Sequence, residues 1–216
     1  HVVYMNEDTG YKISEYYEDA RNADASDWKD METCMGIVRR LHQSDIQVGH
    51  RFDIRERIAF YERLCLSHGG IPYEDYERVR VWMNELMYSL DKMDRPQCLC
   101  HIDANVDNFL IFKDGSAKLL DWEYAGMSDP MLDISMCAIY SYYSEEETER
   151  LACLYLGREL TKEERFALFA NAALGGFLWS LWAVYKSSLG DEFGEYTLIM
   201  YRYAKSYYRK LKKEML

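Results

Sequence analysis

Apolar residues recur at three- and four-residue intervals through most of this chain, the mark of helices that bury one face. From a cap at Ser26–Asp27 to about His42, the positions Met31, Cys34, Met35, Val38 and Leu41 line one such face. Asp53 opens a second helix to about Ser67, with Ile54, Ile58, Tyr61 and Leu64–Cys65 on one side, until Gly69-Gly70-Ile71-Pro72 breaks it. A third runs from about Tyr73 to Lys92 and stops before Arg95-Pro96. Beyond Pro130 the pattern predicts helices near Met131–Tyr142, Glu145–Leu156, Lys162–Ser187 and Phe193–Glu214. Thr161-Lys-Glu-Glu164 has the spacing of a capping box. Strand patterns are short. His1–Met5 and Tyr11–Tyr17 flank a turn at Asn6–Gly10, Cys98 and Cys100 alternate in a strand, and Phe109–Leu120 reads as a hairpin turning at Asp114-Gly115. The predicted class is α+β, mainly helical with short β-hairpins, without internal repeat, low-complexity segment or long linker.

The chemistry concentrates in one stretch. His101-Ile-Asp103-Ala-Asn105-Val-Asp107-Asn108 sets an amide five residues after a carboxylate, and Asp121-Trp122-Glu123 adds a second carboxylate thirteen residues further on. H-x-D-x-x-x-x-N is the spacing of a kinase catalytic loop, in which the aspartate takes the acceptor hydroxyl's proton and the asparagine holds magnesium. The later aspartate stands where kinases hold magnesium against the nucleotide phosphates. The intervening hairpin would return Asp121 beside Asn108, so that one ion touches both. The structural alternative is that Asp103 and Asn108 cap a turn and Asp121 ends a strand.

Cys100–Leu110 and Leu120–Ile134 resemble bacterial choline kinases, within the aminoglycoside-phosphotransferase-like small-molecule kinases. Gly176-Phe-Leu-Trp179-Ser-Leu-Trp182-Ala183 resembles the segment that supplies aromatic cage walls for choline in that family, and the resemblance runs from about Tyr11 to the C-terminal helix. It implies a protein-kinase-like fold with residues 21–216 as a helical C-lobe and residues 1–20 as a β-hairpin remnant of the N-lobe sheet and a hinge. It also implies ATP as co-substrate and Mg2+ as cofactor. Asp103 would be the catalytic base, Asn105 would contact the transferring phosphate or orient Asp103, and His101 would brace the loop. Asn108 and Asp121 would hold metal, and Glu123 would support a second metal or an ordered water. Asp133 would pin the loop's backbone. Tyr16, Tyr17 and Glu18 would meet adenine through their main chain. Trp179 and Trp182 would face the ammonium, with Tyr140 and Tyr196 as further candidates.

A quaternary ammonium donates no hydrogen bond, so its recognition falls to aromatic faces, Trp above all. Trp179 and Trp182 lie three apart on one helical face, although the same stripe also describes an ordinary helix core. Choline kinases of higher organisms carry an acidic residue where this chain has Tyr140, which leaves the acidic wall of the cation site unassigned. A glycine-rich phosphate loop and an upstream strand lysine are absent, and Lys12 lies too close to the hinge to replace the latter. The chain is therefore expected to be a C-lobe with part of its N-lobe, by truncation of the record or by loss of the lobe. Competing readings are a kinase for ethanolamine, thiamine or an aminoglycoside, a non-catalytic choline-binding module, and a docking protein using its acidic surface.

Charge narrows the partners. The 216 residues carry 26 Lys and Arg against 37 Asp and Glu, a net charge of −11, which disfavours nucleic acid and suits a cationic small-molecule substrate. Six cysteines without a C-x-x-C pair, and five histidines without ligand spacing, argue against zinc and for reduced thiols in a cytoplasmic protein. No run of eighteen apolar residues occurs, so no membrane span is expected; Ala170–Tyr185 comes nearest. The basic run Tyr201–Lys213 fits a solvated last helix better than a membrane-surface helix. The sequence leaves the oligomeric state open.

Overall fold

A computed structural model describes residues 2–214; the part of the predicted first strand that falls on His1 lies outside them. Seven helices and seven short strands follow in the order β1 (Val2–Met5), β2 (Lys12–Ser14), β3 (Ala20–Asn22), α1 (Trp28–His42), α2 (Ile54–Ser67) and α3 (Tyr76–Asp91). Then come β4 (Cys98–Cys100), a 3-10 turn (Val106–Asn108), β5 (Phe109–Phe112), β6 (Ala117–Leu119) and β7 (Gly126–Ser128). Helices α4 (Pro130–Tyr140), α5 (Glu145–Leu156), α6 (Lys162–Ser188) and α7 (Tyr196–Glu214) complete the described chain.

Helix starts follow the expected capping chemistry. The side chains of Asp27, Asp53 and Asp129 accept amide hydrogens at the first turns of α1, α2 and α4. Ser144 and Thr161 form full capping boxes with Glu147 and Glu164. Helix α3 starts at Tyr76, three residues later than the pattern suggests, and Asp75 gives it no side-chain cap. That carboxylate is instead taken by α7, through Tyr201 Oη at 2.9 Å and Lys205 Nζ at 2.6 Å. Helix α4 ends at Tyr140, not Tyr142, which sits in the left-handed region at φ 56°.

Helix α6 is the axis of the molecule, packing against α2, α3, α4 and α7. Gly175 and Gly176 permit this closeness. A Cβ on Gly176 would lie 2.6 Å from the Met200 carbonyl oxygen of α7, and one on Gly175 would lie 2.8 Å from Met136 Sδ of α4. By length and composition α6 alone among the described helices could cross a membrane, but 89% of its apolar stretch is buried inside the molecule. It is a core helix. A second core packs α1, α4 and α5 around Met31, Met35, Ile134 and Leu151.

The strands form three small antiparallel sheets, β1–β2, β3-β5-β6 and β4–β7, of which the last two carry the catalytic segment. The β5–β6 hairpin is the one expected around Asp114-Gly115. Strands β3 and β7 carry no alternating pattern and are legible only through their partners. Arg21 of β3 pairs with both carboxylate oxygens of buried Asp30, fastening this sheet to α1. Strand β2 is shorter than the Tyr11–Tyr17 pattern implies, because residues 15–17 leave the ladder. Three of the cations of α7 pair with carboxylates of neighbouring helices: Lys205 with Asp75, Lys210 with Glu145 and Lys212 with Glu85.

Candidate active site

Strand β4 delivers His101, Ile102 and Asp103 into a tightly held loop. Ile102 has φ 73°, costly for a β-branched residue, so its surroundings must over-determine it. They do. The fully buried carboxylate of Asp133, in the first turn of α4, accepts the Ile102 amide at 2.6 Å and the His101 amide at 2.7 Å. A third contact, at 2.9 Å, comes from His42 Nε2 at the end of α1, whose Nδ1 meets Tyr155 Oη. Burial opposes charge on His42, but its hydrogen bond to Asp133 and that residue's charge prevail and raise its pKa.

His101 is also a brace. Its Nε2 donates to the Leu120 carbonyl at 2.7 Å, tying the loop to the end of β6, while the buried Nδ1 meets no hydrogen-bond partner among the described residues. The ring is fully buried and edge-on to Trp122 at 4.8 Å. Leu120 then donates to the Asn108 carbonyl, so Asp121 leaves the hairpin beside Asn108, at φ 59°. Asn108 Nδ2 donates to Asp103 Oδ2 at 2.9 Å and to the Asp103 carbonyl at 2.8 Å. Asn105 caps the 3-10 turn through the Asp107 amide.

Asn108 Oδ1 and the Asp121 carboxylate make no hydrogen bond or ion pair among the described residues, which leaves both as oxygen donors of the kind magnesium takes. A softer metal finds no such welcome at His42, Cys98 and Cys100. Their ligand atoms lie within 4.8 Å of one another, but both ring nitrogens of His42 are already committed. All six cysteines are free thiols.

Asp103 opens onto a cavity of about 450 Å³ together with Asn105, Glu123, Tyr140, Trp179, Trp182 and Tyr196. Trp179 and Trp182 stand perpendicular at 5.9 Å between centroids, and Tyr140 lies 5.8 Å from Trp179. Trp179 is both core and wall, with Nε1 directed at Met136 Sδ and a face on the cavity. Two further walls escape the sequence reading. Tyr124 directly follows Glu123 and stands edge-on to Trp179 at 5.6 Å; Phe193 covers Trp182 at 4.9 Å. Burial first, and the Asp103 charge in addition, pushes the phenols of Tyr124, Tyr140 and Tyr196 upward, so all three stay protonated around that carboxylate.

The remaining expectations fall elsewhere. Asn108 and Asp121 lie outside the lining of the aromatic cavity, whereas Glu123, expected beside a metal, lines it. Tyr16, Tyr17 and Glu18, expected at adenine and not at this cavity, lie on the segment between β2 and β3. Tyr16 is 84% exposed, and Tyr17 packs edge-on against Phe112 with the Lys118 amine 4.1 Å above its ring. Other tyrosines of the region serve the helix core: Tyr143 and Tyr201 are buried, and Tyr203 donates its hydroxyl to the Tyr143 carbonyl. A larger cavity of about 510 Å³, between α2, α3 and α4, contains none of the catalytic-loop residues.

A helical lobe carrying a braced H-x-D-x-x-x-x-N loop, a hairpin and a following Asp is the architecture of a protein-kinase-like phosphotransferase. Residues 16–169 match the model of the phosphotransferase enzyme family known as APH, and the chain belongs to that family. Protein LicA of Haemophilus influenzae is 23% identical over 201 residues, covering 88% of this chain and 74% of LicA. The structure of choline kinase LicA from Streptococcus pneumoniae superposes with a TM-score of 0.85 at 29% identity, over 97% of this chain and 74% of that one. A choline/ethanolamine kinase family protein from Mesorhizobium loti shares the fold, with a TM-score of 0.80 at 22% identity over 100% of this chain and 73% of that one. The enzyme is a small-molecule kinase with an alcohol acceptor.

Proposed function

We propose that this protein transfers the γ-phosphoryl group of ATP to the hydroxyl of choline, giving phosphocholine. One observation carries the reading: Asp103 shares its cavity with the perpendicular pair Trp179 and Trp182. The trimethylammonium group packs against these rings by cation–π attraction, and the short ethyl chain then directs the hydroxyl at Asp103. Asp103, oriented by Asn108, accepts the hydroxyl proton as the oxygen attacks phosphorus. Asn108 and Asp121 would hold magnesium, which when bound neutralises phosphate charge. The adenine would meet the main chain of Tyr16–Glu18, in the hinge that ends residues 1–20 and leads into the helical lobe. Similarity to choline kinase LicA supports choline over other amino alcohols. The carboxylate of Glu123 at the cavity keeps ethanolamine as the second reading, because a primary ammonium wants such an acceptor.

The test is choline-dependent ADP release by the full-length protein with Mg2+ and ATP, beside the Asp103→Asn variant. Release that requires choline, and that the variant loses by about 10²-fold or more while still binding nucleotide, is the expected result. Equal or faster turnover of ethanolamine would reassign the substrate, and near-normal turnover by the variant would remove Asp103 as the base.

A further inference from the structure

We infer that the cavity of about 510 Å³ between α2, α3 and α4 is a second ligand site, suited to a small uncharged molecule that carries an amide N–H on an apolar body. Its size is that of sites which enclose such molecules. None of the catalytic-loop residues lines it, so the inference stands apart from the kinase reading. The residue that points to a ligand is Asn171. Helix α6 is apolar through this stretch, and Ala170, Ala172, Ala173 and Leu174 around it are fully buried. Asn171 is itself only 4% exposed, yet it lines the cavity. Its Nδ2 donates to Asp129 Oδ2 at 3.0 Å, whereas its Oδ1 makes no hydrogen bond among the described residues. A buried acceptor without a donor destabilises the fold, and an N–H entering the cavity completes it.

The surrounding charges set the class of ligand. Asp129 is saturated: Arg95 Nε donates to it at 2.6 Å, Arg95 Nη2 takes the other oxygen, and the Met131 amide donates at 2.9 Å beside Asn171. Arg55 and Asp91, which also line the cavity, pair with each other at 2.7 Å. The remaining charged residues of the lining, Arg51, Asp53 and Glu56, are exposed and screened by solvent. A charged ligand would therefore find its strongest partners taken, and desolvating it would gain little in return. Arg95 Nη1 makes no hydrogen bond or ion pair among the described residues, so a donor and an acceptor both remain, on two side chains that meet at Asp129 Oδ2. An amide answers both, with its N–H and its carbonyl. Phe52, Leu132 and Leu174 give its apolar body a wall. The occupant would rest at the start of α4, which Asp129 caps, one turn before the Asp133 that holds the catalytic-loop amides.

The experiment titrates benzamide and N,N-dimethylbenzamide into the full-length protein by ligand-detected NMR, with the Asn171→Leu and Leu90→Trp variants beside it. Benzamide should bind, and the dimethyl compound, which lacks the N–H, should bind about tenfold more weakly. Leu90→Trp, which fills the cavity from α3 and leaves Asn171 in place, should weaken benzamide by about tenfold or more. Asn171→Leu should abolish the preference for benzamide over its dimethyl analogue. Saturating choline or ATP should displace neither compound. Where a variant fails to fold, the two-compound comparison on the unsubstituted protein still decides. No binding of benzamide at millimolar concentration, equal Kd values for the two compounds, unchanged affinity in Leu90→Trp, or displacement by choline or ATP would overturn the assignment.

Discussion

His42 Nε2 lies 2.9 Å from Asp133 Oδ2, and the same carboxylate holds the amides of His101 and Ile102. One buried acid therefore links the end of α1 to the backbone of the catalytic loop. The raised pKa of His42 means that the folded protein binds its proton more tightly than the unfolded chain, where histidine titrates near 6.5. The resulting stabilisation is complete below about pH 6.5 and is lost as pH rises through the elevated folded value. His42→Gln should accordingly lower Tm most at pH 5.5–6 and progressively less at higher pH, with a loss of about 2–4 kcal/mol at the acid end. Thermal melts of both proteins across pH 5.5–9 check this; a gap that widened with pH would reverse the sign.

The second prediction concerns the glycines of α6. A methyl group on Gly176 would meet the Met200 carbonyl oxygen at 2.6 Å and Tyr203 Cβ at 2.9 Å, so α7 must move away or the helix must distort. Gly176→Ala should cost about 1–3 kcal/mol, despite alanine's better helix propensity. Since α6 and the start of α7 carry Trp179, Trp182 and Tyr196, the choline KM should rise as well. Chemical denaturation and steady-state kinetics on one preparation test both effects; a protein more stable than the parent would show that the close approach does not constrain the helix.

Much of this site was legible because its chemistry is local. Asp103, Asn108 and Asp121 are spaced by one loop and one hairpin, and the Asp114-Gly115 turn fixes their return. Trp179 and Trp182 repeat at a helical interval, so their shared face could be read without knowing what it faced. The misses are tertiary. Strand β3 has three mostly exposed residues and exists because β5 pairs with it. Asp75 has the type and place of a helix cap, yet α7, more than a hundred residues away, claims its carboxylate. Phe193 lies in a loop with no periodicity, and its role depends on where two helices meet. Tyr124 directly follows the D-x-E motif, but only the fold turns its ring toward Trp179.

Asn108 serves two atoms at once. Its Nδ2 holds Asp103 at 2.9 Å, while Oδ1, without a hydrogen bond among the described residues, would hold magnesium under the proposed function. Asn108→Asp would keep an oxygen donor but replace the hydrogen bond with repulsion of Asp103, whereas Asn108→Ala removes both functions. Both variants should lose about 10²-fold or more in kcat, and in the alanine variant added Mg2+ should recover little of it. Titrations of kcat against Mg2+ concentration separate the effects. If alanine regained full activity at high Mg2+, the contact to Asp103 would be dispensable.

Trp182 tests the cage without touching the phosphoryl chemistry. It is half-buried, stands perpendicular to Trp179 and makes no hydrogen bond to the catalytic loop among the described residues. Removing its ring deletes one cation–π face worth about 1–2 kcal/mol and leaves Asp103, Asn108 and Asp121 in place. Trp182→Ala should therefore raise the choline KM by about five- to thirtyfold, with kcat at saturating choline reduced far less. Trp182→Phe, which keeps a weaker π face, should restore part of the affinity, whereas Trp182→Leu, with similar apolar bulk and no π face, should not. Kinetics on the three variants separate cation–π recognition from plain packing. Equal KM values for Phe and Leu would show that the residue acts by filling space.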